Sequence, residues 1–310
     1  MHFDAVSSPL VSVIVPTFDR PGLVEACLAG LSRLSFDRGT FEVIVVDDGS
    51  PAPLDSVVET FSGRLTVRLI RQERVGPGGA RNSGVAVARG RYVAFIDDDC
   101  VADVDWLTHL IDALERDPAA LVGGKVENAL TSNPFADASD HISRFVYEYY
   151  RGHAAHEPFF ATNNMALATE PFRELGGFTT RIPSATAEDK EFCDRWRAQG
   201  WPLVHVPDAV VQHGHNLTFA GFVRQHYNYG RGILTFRLMK RARATGALVP
   251  ESIGFYAGLL TSPLTNGATA GPRALVLVAI AQLATGAGAL RQALARTRFR
   301  ANGRTNAAHD

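Results

Sequence analysis

The chain predicts an α/β domain with a mostly parallel central sheet and helices on both faces. Three observations predict it. Nearly continuous apolar runs recur at Leu10–Val15, Phe41–Val46, Leu65–Ile70 and Tyr92–Ile96, the pattern of strands buried on both faces. Between them lie apolar residues at helical spacing, such as Val24, Cys27, Leu28, Leu31 and Leu34, so strands and helices alternate. The strand ends then carry polar clusters: Thr17-Phe18-Asp19, Asp47-Asp48 and Asp97-Asp98-Asp99. Open parallel sheets bind their ligands beyond these carboxyl ends.

Taken in order, the first strand is expected to stop at Pro16. Thr17–Pro21 reads as a loop, with Pro21 placed to open a helix. The second strand ends in Asp47-Asp48-Gly49-Ser50, and a helix is expected around Leu54–Phe61. After the third strand, Gly76-Pro77-Gly78-Gly79-Ala80-Arg81-Asn82 opens a helix reaching Ala88. Its first N–H groups could meet a phosphate, with Arg81 adding a fixed charge. The glycine spacing is not that of a dinucleotide fingerprint, and the segment does not follow the first strand. Further on, Leu203–Pro207 and Ala209–Val211 read as two late strands, and Phe222–Gly232 opens a basic, aromatic-rich helix. Phe255–Leu264 is apolar but interrupted by Pro263. Ala274–Leu290 is apolar over about seventeen residues, the lower limit for crossing a bilayer.

A chain of 310 residues with 46% hydrophobic and 20% charged residues can bury a substantial core. The net charge of −1 hides an arginine-rich last third, which suits anionic lipid or phosphate. Cys27, Cys100 and Cys193 are odd in number and form no CxxC pair, as expected for reduced cytosolic thiols. Met1–Pro9 lacks the apolar region of a signal peptide, so a cytoplasmic location is expected.

The chemistry begins with the triplet Asp97-Asp98-Asp99. Crowded carboxylates raise one another's pKa unless a cation sits among them. Hard divalent cations take oxygen ligands and share them with substrate phosphates. A metal-diphosphate site is one reading and a solvated acidic turn the other. Glu188-Asp189 forms a second acidic pair before a short amphipathic segment, either a catalytic pair or a helix start that satisfies the macrodipole. His213 and His215 stand at i, i+2 and share one face of a strand. Without a thiolate cluster they do not suggest zinc.

Several motifs occur in a fixed order: Val11–Arg20, Glu42–Ser50, Gly79–Gly84, Val93–Asp99, Thr162–Ala166, Leu175–Phe178 and Ala187–Arg195. Together they resemble a family 2 glycosyltransferase with the GT-A fold, over about residues 10 to 232. The resemblance implies an inverting transfer of one sugar from a nucleotide-diphosphate sugar, UDP-linked, to an acceptor hydroxyl. Pro16, Thr17 and Asp19 would contact the nucleoside. Asp48 would accept from the base imide, and Arg81 would reach the base or diphosphate. Asp97 and Asp99 would hold Mg²⁺ or Mn²⁺, with His213 or His215 completing the metal shell and Asp98 touching the ribose. Asp189 would be the general base, with Glu188 supporting it, and Arg231 would reach the diphosphate. Polymerising members carry Gln-x-x-Arg-Trp, whereas here Gln225 precedes His226-Tyr227-Asn228-Tyr229, which argues against a processive synthase.

The implied layout is a catalytic domain over 1–232, with a nucleotide-binding half at about 10–105 and an acceptor half at about 106–232. A helical, basic and apolar segment at 233–298 would meet the cytoplasmic face of an anionic membrane, and 299–310 would be disordered. The expected partners are a nucleotide sugar and a lipid-linked or cell-envelope glycan acceptor, and no nucleic acid. Rival readings are a sugar nucleotidyltransferase and a non-catalytic sugar-nucleotide scaffold. The first normally carries a glycine- and basic-rich loop where this chain has Pro16-Thr17-Phe18-Asp19.

Overall fold

A computed structural model of the protein describes residues 8–152, 158–182, 186–243, 251–265 and 271–306. The chain divides into two compact units. The first comprises Met1–Ala129, Pro158–Thr180 and Asp189–His215, and the second comprises Leu130–Glu157, Arg181–Glu188 and Asn216–Asp310. The boundary expected at 232 is thus not where the chain divides. The helix that holds this position runs unbroken from Phe219 to Ala242, so residues 216–232 group with the C-terminal helices.

The first unit holds one eight-stranded sheet. Its strands are β1 (Val11–Thr17), β2 (Phe41–Asp47), β3 (Val67–Arg71), β4 (Tyr92–Phe95), β5 (Cys100–Ala102), β6 (Leu121–Asn128), β7 (Met165–Ala168) and β8 (Leu203–His213). They lie in the order β3-β2-β1-β4-β7-β6-β8-β5. The β1–β2, β1–β4, β2–β3 and β6–β8 pairs are parallel, while β7 and β5 enter antiparallel. The helices of this unit are α1 (Pro21–Leu31), α2 (Asp55–Glu59), α3 (Pro77–Val87), α4 (Trp106–Arg116), α6 (Thr169–Glu174) and nearly all of α7 (Glu188–Ala198). The second unit holds α5 (Pro134–Gly152), α8 (Phe219–Ala242), α9 (Ile253–Thr265) and α10 (Pro272–Asn306).

The alternating strand residues explain the layers. Val13, Val15, Val43 and Val45 bury one face of the sheet with Cys27 and Leu28 of α1. Ile14 and Val46 point the other way, under α3. A Cβ on Gly84 would stand 2.5 Å from the Ile14 side chain and 3.1 Å from Val46. That position lets α3 lie close enough to the sheet to bring Arg81 to its edge. The three cysteines are buried and form no disulfide.

Proline reads differently in three dimensions. β1 does not stop at Pro16 but pairs with β2 as far as Thr17. The even residues of β1 bond toward β4, as Leu10 and Ile14 do through their carbonyls, and the β4 ladder ends at Ile14. Pro16 therefore lacks its N–H on a side where no partner remains. Pro207 likewise does not split β8. The register jumps from Gly124↔Val206 to Lys125↔Val210, so Pro207 sits in a bulge that requires no donor. Asn164 closes the bulge, its Nδ2 donating to Lys125 O and Ala209 O at 2.9 Å each. Its Oδ1 accepts from Trp106 Nε1 at 2.9 Å.

In the second unit α9 runs through Pro263. Ser262 Oγ donates to Leu259 O at 2.9 Å, supplying the bond that the proline cannot make. α8 begins with Thr218, whose hydroxyl accepts from Gly221 N at 3.1 Å. α8 and α10 meet at glycines: a Cβ on Gly230 would lie 1.9 Å from Thr285 O, and one on Gly288 1.9 Å from Tyr227 O. Leu277, Val278 and Ala281 of α10 join Phe222, Phe255 and Leu259 in this unit's core. α10 continues to Asn306, across part of the tail expected to be disordered from 299. Residues 307–310 of that expected tail, and residues 1–7, lie outside the described residues.

Candidate active site

The loop after β1 is pinned from two sides. Thr17 is buried, and its Oγ1 donates to Asp98 Oδ2 at 2.7 Å. Asp19 takes a positive φ of 55°, which aspartate tolerates better than most residues, and its N–H donates to Ser50 Oγ at 2.8 Å. Ser50 in turn donates to Asp47 Oδ1 through both its N–H and its hydroxyl. Asp47 is therefore the brace of the β2 turn.

Asp48 faces the loop after β3. It accepts from Gln72 Nε2 at 2.8 Å, Val75 N at 2.9 Å and Gly76 N at 2.8 Å. Its carboxylate thus orders the very loop that opens α3, and Gln72, which the sequence reading passed over, is one of its donors. On the neighbouring loops Arg74 lies over the Phe18 ring, 3.6 Å from its centroid. This pair had no sequence signal, since its two residues are 56 positions apart.

The aspartate triplet separates into three environments. Asp97 is paired with the buried guanidinium of Arg81, Oδ1 to Nη2 at 2.5 Å. Asp98 is buried against Thr17 and takes Arg20 Nη1 at 3.1 Å. Burial raises its pKa to about 6, against the hydrogen bond from Thr17 and the charge of Arg20, with the Asp99 and Asp97 charges adding to the rise. Asp98 is thus an internal link between the loop and the triplet. Asp99 behaves in the opposite way. Burial alone would raise it, but the hydrogen bond and charge of His213, with His215 and Arg20 nearby, hold it at about 2.

Asp99, His213 and His215 form the one compact group of candidate metal ligands among the described residues. Their ligand atoms lie within 4.8 Å of one another, with His213 Nε2 at 3.3 Å from Asp99 Oδ1. The donor set fits a divalent cation. A carboxylate with two imidazoles suits Mn²⁺ better than Mg²⁺, which prefers oxygen throughout. Burial also lowers the pKa of His215, which favours its neutral, ligating form. Asp97, grouped with the metal ligands by sequence, stands instead with Arg81. Arg20 approaches both Asp98 and Asp99, the latter at 3.3 Å, and the sequence reading gave it no role. Its signal was only its place in the loop beside Asp19.

Asp189 is the second residue of α7 and belongs to the first unit; it is half-buried, with Oδ1 accepting from Lys190 N at 2.7 Å. Burial raises its pKa, against the charges of Lys190 and Arg81. Glu188 is buried, and its Oε2 accepts from Ala187 N at 3.2 Å. The division between the units falls between these two residues. Pro16 lies within β1, and Arg231 lies on α8 in the second unit.

A mixed sheet that gathers acidic loops and two histidines at one edge defines a GT-A-like transferase. The sequence model of the family described as Glycosyl transferase family 2 matches residues 12–176, and the chain belongs to that family and is a glycosyltransferase. It is 24% identical over 236 residues to the glycosyltransferase AglE of Haloferax volcanii, covering 75% of this chain and 76% of that protein. It is 27% identical over 223 residues to the validoxylamine A glucosyltransferase of Streptomyces hygroscopicus subsp. jinggangensis, covering 63% of this chain and 53% of that enzyme. The chain thus spans about half the length of this second relative. Among solved structures it is similar to a mannosyltransferase from Pyrobaculum calidifontis in complex with GDP-Man and Mn²⁺. That match has a TM-score of 0.61 and 23% identity, over 94% of this chain and 80% of the other. It is also similar to TarS of S. aureus in complex with UDP, with a TM-score of 0.52 and 16% identity over 93% and 91%. At these identities the structures support the fold.

Proposed function

We propose that the protein transfers a single sugar from a nucleotide-diphosphate sugar to an acceptor hydroxyl with inversion at the anomeric carbon. The observation that carries this reading is the grouping of Asp99, His213 and His215 within 4.8 Å at the sheet edge of a family 2 glycosyltransferase. A divalent cation held there, Mg²⁺ or Mn²⁺, would stabilise negative charge on the departing nucleoside diphosphate. The end of β1 with Pro16 and Thr17, the loop carrying Asp19 and the loop ordered by Asp48 form the nucleoside side of the site. Arg81, fixed by Asp97, adds positive charge to its diphosphate side.

Asp189 takes the proton of the acceptor hydroxyl. Its raised proton affinity supports that role, since a base works best with a pKa near the operating pH. Glu188 supports it. A single base with direct displacement inverts the anomeric centre. The fold relatives bind GDP-Man with Mn²⁺ in one case and UDP in another. We assign a UDP-linked donor to this chain, with a lipid-linked or cell-envelope glycan as acceptor.

A thermal-shift screen of UDP- and GDP-sugars with and without Mn²⁺ tests the donor, because a ligand of the native state raises its melting temperature. A metal-dependent rise with UDP-sugars is expected. A rise with GDP-sugars alone would reassign the nucleotide, and no rise with any donor would restore the scaffold reading. Proton NMR of the first product distinguishes inversion from retention.

A further inference from the structure

α10 has two unlike long faces. Leu277, Val278, Ala281 and Ala284 are buried, and Thr285 Oγ1 donates to His226 O of α8 at 3.2 Å. On the other side Val276, Leu283, Leu290 and Leu294 are exposed by 52%, 75%, 61% and 54%. At about 100° per residue these four fall within about 40° of arc, and they span about 27 Å along the axis. Ala287, also exposed, lies about 20° beyond the arc, on the side of the arginines. Arg273 and Arg291, both exposed, stand about 60° to one side of it. The whole helix carries six arginines and no acidic residue. Isolated apolar residues on a surface are ordinary, but a continuous apolar stripe beside unopposed positive charge is not.

We propose that α10 docks the protein on an anionic lipid bilayer, lying in the plane of the interface with the Val276–Leu294 stripe among the acyl chains. Arginines at the border of the stripe reach the phosphate headgroups while their stems stay in the apolar layer. Residues Pro272–Ala295 are long and apolar enough to cross a membrane by length and composition. Crossing would strip the helix from α8, where main chain meets main chain at Gly230 and Gly288. Lying flat keeps that packing and buries only the face left outside. The docking is independent of the donor, the metal and the inversion proposed above.

The test is flotation of the full-length protein with vesicles of phosphatidylcholine alone or mixed with phosphatidylglycerol, followed by carbonate washing. Wild type is expected to float with the mixed vesicles, to bind less at high salt, and to be released by carbonate. L283Q/L290Q should lose at least about tenfold in partitioning, with an unchanged circular dichroism spectrum and melting temperature because both side chains are exposed. R291Q should weaken binding less and reduce its salt dependence. Equal flotation of wild type and L283Q/L290Q overturns the proposal, as does resistance to carbonate, which would mean a span. A wild-type dimer by light scattering that L283Q/L290Q dissolves, without vesicle binding, would mean that a second copy covers the stripe.

Discussion

Cys100 and His213 face one another across the antiparallel β5–β8 ladder, and that register sets Asp99 beside the His213 ring. The hydrogen bond of 2.7 Å from Gly214 N to Asp99 O extends the alignment one step beyond the strand. Two segments more than a hundred residues apart in sequence thus meet at one edge of the sheet.

Removing a member of this group is expected to weaken cation binding. Asp99→Asn or His213→Ala should lower Mn²⁺ affinity at least about tenfold, a change comparable to the loss of a group orienting a metal ligand. Asp97→Asn should have a smaller effect, because that carboxylate is engaged by Arg81. Titration calorimetry with Mn²⁺ on the protein alone checks all three. Equal losses for Asp97→Asn and Asp99→Asn would return Asp97 to the metal shell.

Asp189→Asn keeps the size of the side chain and removes the base. The turnover number should fall by about 10² to 10⁴-fold, with donor affinity close to that of the wild type. Single-turnover kinetics beside equilibrium donor binding separates the two quantities. A loss in donor binding with normal turnover would make Asp189 a binding residue.

The glycines between α8 and α10 leave no room for a methyl group. Gly230→Ala and Gly288→Ala are each expected to destabilise the second unit by about 2 kcal/mol, within the usual range for overpacking. Urea unfolding followed by circular dichroism reads the change in midpoint. An unchanged midpoint would mean that the helices move apart at no cost.

His226 is buried, and burial lowers its pKa from the ordinary 6.5 to about 4. Between those values the unfolded chain binds the proton and the folded chain does not. Stability from this group is therefore full above about pH 6.5 and lost as pH falls toward 4, by about 3 kcal/mol at the acid end. His226→Leu should flatten that part of the stability profile, as measured by urea unfolding at pH 7, 5.5 and 4.5. An unchanged slope would remove His226 as its source.

The parallel half of the sheet was legible because β1, β2 and β4 are buried on both faces and read as nearly continuous apolar runs. The acidic edge was legible for the same reason, since each run ends where its carboxylates begin. The prolines were misread because a proline's tolerance depends on which neighbouring strand its missing N–H would face. Pro16 shows this at the end of the β4 ladder and Pro207 shows it in the β8 bulge. β5, three residues long, is too short to carry any periodicity. Asp48 stood out in sequence as a candidate site residue, but its three donors from the β3 loop did not, because they arrive from 24 to 28 residues away. In sequence Asp97 and Asp99 both read as metal ligands. They differ because Arg81 comes down from α3 beside one, and His213 comes across from β8 beside the other.

The close approach of α8 and α10 has one further consequence. Gly230 and Gly288 fix how far each helix is turned about its own axis, because any rotation would drive a neighbouring side chain into the opposing backbone. The direction in which Leu283 and Leu290 look is therefore decided on the far side of the helix, by two methyl groups that the chain omits. A substitution there would re-aim a surface that it never touches.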